Sequence, residues 1–64
     1  MMAEVPPFLV DFLTEAKAAT QRAAAALEAD DWEEAERQAR WAESNAGALH
    51  RCIKVRNRVV EAAK

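Results

Sequence analysis

The chain of 64 residues has one Gly, one Cys, one His and two Pro. A lone Cys excludes an internal disulfide framework and points to a reducing compartment. With one His and one Cys, no HxxxH, ExxH or CxxC spacing exists to bind a metal. His50 and Cys52 lie two residues apart, so on a helix they point about 160° away from each other and cannot share an ion or a proton. No catalytic residue, metal or cofactor is expected, and the chain does not read as an enzyme. Long apolar runs are also missing, so no membrane span is expected. The start, "MMAEVPPFLVDFL", carries Glu4 and Asp11 and no base, unlike a signal peptide. A soluble, cytoplasmic chain with no membrane partner is the expectation.

Bulky side chains are scarce. There are two Phe and two Trp, whereas sixteen residues are Ala, which buries little area per residue. A chain this short and this rich in Ala often completes its core on a second chain. The Ala and Arg content suits a small bacterial or phage protein.

What is present is helical patterning. Pro6 and Pro7 open a helix well, because proline suits the first turn. No Pro or Gly interrupts Phe8 to Glu28, and residues 16–29 hold eight Ala, the best helix former. Leu9, Phe12, Leu13, Ala16, Ala19, Ala23, Ala26 and Leu27 recur at spacings of three and four, with Asp11, Glu15, Arg22 and Glu28 away from that stripe. Next comes "EADDWEEAE". Asp30 with Glu33, and Asp31 with Glu34, each fit a capping box, and the acids complement the positive end of a helix dipole. A second helix is therefore expected from residue 31, after a turn too short for anything but an antiparallel hairpin.

Read in heptads, the second helix places Trp32, Ala39, Ala46, Ile53 and Val60 at a, and Ala35, Ala42, Leu49, Arg56 and Ala63 at d. The register passes through Gly47 at b without a phase reset, which favours one long helix over a kink or a third helix. Trp41, Ala48, Val55 and Ala62 at c adjoin Cys52 and Val59 at g. Together a, d, g and c span about 160° of arc, wider than one hairpin partner needs. One edge is expected to meet the first helix and the other a second chain. Gln38, Asn45 and Arg56 are the polar members of that arc, and such residues often specify register and oligomer state.

The organisation expected is a single domain over 1–64: an arm at 1–6, a helix at 7–28, a turn at 29–30, and a helix at 31–63 with a possible kink near Gly47. Trp32 is expected to pack on Leu27 and close the turn. Pairing around the turn puts Leu13 near Ala46 and Leu9 near His50, so residues after about 54 overhang. The fold class is all-α, a helical hairpin expected to dimerise into a four-helix bundle.

Charge is polarised along the chain. Residues 1–36 hold two bases against nine acids, and residues 37–64 hold seven bases against two acids, netting −7 and +5 within a total of −2. Such polarity favours head-to-tail association or an acidic partner.

Two surfaces are candidates for function. Trp41, Cys52, Val55, Val59 and Val60 form the candidate partner interface, since Trp dominates interface energetics. Arg37, Arg40, Arg51, Lys54 and Arg58 form a basic ridge that could hold a polyanion, although the pI near 5.3 weakens that reading. The acids Glu33, Glu34 and Glu36 are accounted for by capping.

The stretch "AALEADDWEEAERQARWAE" looks like the turn between the two helices of a tetratricopeptide repeat. Trp32, Ala35 and Ala42 sit where that family places an aromatic and two small residues. Arg22 and Ala23 replace its leucine-glycine pair, and Gly47 stands for its downstream Pro. The size, Ala-Leu seam and short turn are similar to the Rop group of plasmid RNA-binding hairpins, which implies a dimeric four-helix bundle. The function expected first is a small non-catalytic interaction module acting as a homodimer or higher oligomer, with another protein as partner. The alternative is a Rop-like nucleic-acid-binding regulator that uses the basic ridge.

Overall fold

The computed structural model describes residues 5–63. Residues 1–4 of the expected arm, and Lys64, lie outside the described residues. Two helices, α1 (Pro7–Glu28) and α2 (Trp32–Ala62), form an antiparallel hairpin with many contacts between them. It measures 51 × 21 × 13 Å, a slab one helix thick.

Pro7 occupies the first turn of α1, and Pro6 stands at the N-cap with φ −56° and ψ 137°. There, the ring-fixed φ suits the chain and the missing N–H costs nothing. The C-terminus of α1 is a Schellman turn. Asp31 N–H donates to the Ala26 carbonyl at 2.8 Å, and Asp30 N–H donates to the Leu27 carbonyl at 3.0 Å. This geometry needs a left-handed residue after the cap, and Asp30 supplies it with φ 58°. Asp31 then caps α2, its carboxylate accepting from Glu34 N–H at 3.1 Å. The Glu34 side chain does not complete the capping box. It is taken by Arg37 and Gln38 instead.

α2 runs unbroken through Gly47. The glycine is half-buried on the outward b face, because the Arg51 side chain lies over it, 3.4 Å from where a Cβ would stand.

The seam between the helices is made of small residues. Ala19, Ala26 and Ala35 are its buried members, and no large side chain among the described residues is fully buried. Three buried methyl groups contribute on the order of 2 kcal/mol, about the cost of ordering one or two backbone residues. The hairpin therefore leaves most of its apolar side chains uncovered.

Of the apolar arc, the edge that meets α1 is d and g: Ala35, Gln38, Ala42, Asn45, Leu49 and Cys52 are buried or half-buried, while all five a positions are exposed. Gln38 at g finds a partner in Arg22 of α1. Trp32 does not close the turn on Leu27. It is 67% exposed, and its indole N–H is held outward by the Asp30 carboxylate at 2.7 Å. At the open end, Val5 and Leu9 share a hollow with Leu49, Ile53, Arg56 and Asn57. From Ile53 onward every described residue of α2 is exposed.

Candidate interaction surface

The slab has two flanks of opposite character. On one, a chain of polar side chains crosses between the helices. Trp41 Nε1 donates to Glu15 Oε1 at 2.7 Å, and Arg22 Nη2 donates to the same oxygen at 2.9 Å. Arg22 Nε donates to Gln38 Oε1 at 2.8 Å, and Gln38 Nε2 donates to Glu34 Oε1 at 2.6 Å. Arg37 completes the row on the other oxygen of Glu34. Six residues are thus tied in sequence, two from α1 and four from α2.

Helical geometry explains why they meet. Glu15 and Arg22 are seven apart, so they share one edge of α1, and Gln38 and Trp41 are three apart on the facing edge of α2. The indole N–H and, next, the Arg22 guanidinium hold the Glu15 carboxyl below its ordinary range. Both favour the charged carboxylate.

Glu15 and Arg22 lie off the apolar stripe of α1 and stay partly exposed, yet both take part in an inter-helix network. Only the position of α2 reveals that this edge is shared.

The opposite flank carries an apolar ladder. Leu9, Leu13 and Leu27 of α1 border it, and Trp32, Ala39, Ala46, Ile53 and Val60 of α2, all exposed, run along it at the a positions. A shallow groove between the helices is lined here by Ala16, Thr20, Ala42 and Ala46, with Lys17, Gln21 and Glu43 at its margins. The Thr20 hydroxyl donates back to the Ala16 carbonyl at 2.8 Å, so it is satisfied within its own helix.

No family model, curated protein or solved structure matches the chain.

The candidate interface residues do not form one patch. Trp41 is 50% exposed on the polar flank, with its N–H engaged by Glu15. Cys52 is half-buried, in the seam facing α1. Val55 and Val59 are exposed towards the far end of the Trp41 side, and Val60 is exposed on the apolar flank. The basic ridge is divided as well. Arg37 and Arg40 are ion-paired with Glu34 and Glu36, the latter at 2.9 Å. Arg51 lies over Gly47, while Lys54 and Arg58 edge a hollow that also contains His50, Ile53, Asn57 and the acid Glu61. Among the described residues, no three His, Cys, Asp or Glu side chains are grouped so as to hold a metal ion. No helix there is long and apolar enough to cross a membrane.

Proposed function

We propose that the chain is a small non-catalytic protein–protein interaction module that works as a homo-oligomer, most simply as a dimeric four-helix bundle. The observation that carries this reading is that, among the described residues, no large side chain is fully buried while many large apolar ones, Trp32, Ile53 and Val60 along one flank among them, are exposed. The chain exposes 5357 Å², whereas a compact monomer of its mass would expose about 4,100 Å². The excess, on the order of 1,200 Å², exceeds the roughly 800 Å² that each partner buries in a stable complex. Self-association on one flank leaves Trp41, Val55 and Val59 outward, available to a second protein in the manner of an adaptor, inhibitor or assembly factor.

The alternative, a nucleic-acid-binding regulator, has less support. Two of the five ridge cations are already held by glutamates, and phosphate binding relies on cations free to displace counterions. The test is the molar mass in solution, by light scattering over a concentration series. A dimer or higher oligomer at micromolar concentration is the expected result, and a monomer throughout would sink the reading.

A further inference from the structure

Which flank joins two copies, and in which direction, is legible in the hairpin, given the reading that the chain works as a homo-oligomer. We propose that a second copy docks antiparallel on the apolar flank, with the two α2 helices meeting at Ala46.

The a positions of α2 form a ladder at intervals of seven: Trp32, Ala39, Ala46, Ile53 and Val60. Each is exposed in the hairpin. Turned end over end about Ala46, the ladder sets its inner alanine against its inner bulky residue. Ala39 meets Ile53 of the second copy, Trp32 meets Val60, and Ala46 meets itself where the helices come closest. The parallel alternative sets Trp32 on Trp32 and Ile53 on Ile53, which leaves gaps beside the alanines, and voids forfeit contacts.

Charge selects the same direction. Residues 28–36, at the turn, carry six acids and no base, while residues 50–60 carry Arg51, Lys54, Arg56 and Arg58 and no acid. The antiparallel arrangement brings the acidic end of each copy to the basic end of the other, and the parallel one stacks like charge on like. Beside the contact point, Glu43 of each copy comes level with His50 of the other. Because Ala46 stands next to the midpoint of Trp32–Ala62, the long helices overlap along their whole length. The exposed C-terminal part of α2 is then covered by the turn end of the second copy.

The flank bearing Trp41 is less suited to this contact. Its middle is the row Glu15, Arg22, Gln38 and Glu34, and covering those charges would cost desolvation with no new partner in return.

Cysteine cross-linking tests both flank and direction. In a Cys52→Ser background, Ala39→Cys, Ala46→Cys and Ile53→Cys are made singly and treated with a short bismaleimide. Ala46→Cys should cross-link with itself. Ala39→Cys and Ile53→Cys should cross-link when mixed, and neither should do so alone. Self-linkage of Ile53→Cys alone would overturn the direction. Ala46→Glu and Ala46→Lys, each checked for helicity by circular dichroism, should be monomers apart and a dimer when mixed. If both remain dimers apart, the flank is wrong. A wild-type monomer at every concentration would remove the homo-oligomer reading itself, whereas a wild-type dimer with another cross-linking pattern removes only this arrangement.

Discussion

Trp41 Nε1 donates to Glu15 Oε1 at 2.7 Å, joining α2 to α1 across 26 positions of sequence. The same carboxylate oxygen accepts from Arg22, so one acid on the flank of the hairpin organises a donor from each helix. The contact defines which edge of α2 turns towards α1, and therefore which edge is left for another molecule.

Trp41→Phe keeps the aromatic area and deletes the donor. The Glu15 carboxyl, held low first by Trp41 and then by Arg22, should then titrate at higher pH, as followed by carbon-13 NMR of the side chain. A depressed carboxyl stabilises the fold above its unfolded pKa, and that contribution is lost as pH falls through the folded pKa. Wild-type stability should accordingly decline more steeply on the acid side than that of the variant. An unmoved Glu15 titration would show that the indole contact is absent in solution.

Gly47→Ala should stabilise the fold by up to about 1 kcal/mol, since glycine is the poorer helix residue. The new methyl meets only the movable end of Arg51, at 3.4 Å. Thermal unfolding reads the change directly. A lower melting temperature would mean that the helix bends at this residue.

Asp30 stands at φ 58°, a conformation that costs an ordinary L-residue roughly 1–2 kcal/mol. Asp30→Gly should therefore be tolerated despite losing the acceptor for Trp32, while Asp30→Val should be the most damaging change in the turn. Chemical denaturation of the two variants checks the order, and equal stabilities would refute the left-handed assignment.

Ala19 has no solvent exposure, whereas Ala39 is exposed on α2. Ala19→Leu should force the helices apart and cost roughly 1–3 kcal/mol, the usual penalty of overpacking. The same substitution at Ala39 leaves the hairpin seam untouched. Denaturation at concentrations low enough to keep the chain monomeric should separate the two, and a harmless Ala19→Leu would place the seam elsewhere.

Much of the hairpin is local and so readable from the chain alone. The double proline, the alanine run, the paired aspartates at 30 and 31 and the uninterrupted heptads through Gly47 act within a few residues of themselves. Propensity, capping and periodicity therefore suffice to place two helices and one turn. The apolar arc of α2 is equally evident, because its width is a property of that helix.

Which part of the arc meets α1 is a different kind of fact. Rotating α2 by one heptad position exchanges Gln38 and Asn45 for Ala39 and Ala46 at the seam, and both choices satisfy the pattern. The decision rests on pairings between residues far apart in sequence, Trp41 with Glu15 and Gln38 with Arg22. Periodicity carries no record of such pairings. The tertiary structure thus turned Trp32 outward, drew Glu15 and Arg22 into a network, and split the candidate interface residues between two flanks. The chain by itself determined that there is a hairpin with apolar surface to spare, and the packing of one helix on the other decided where that surface lies.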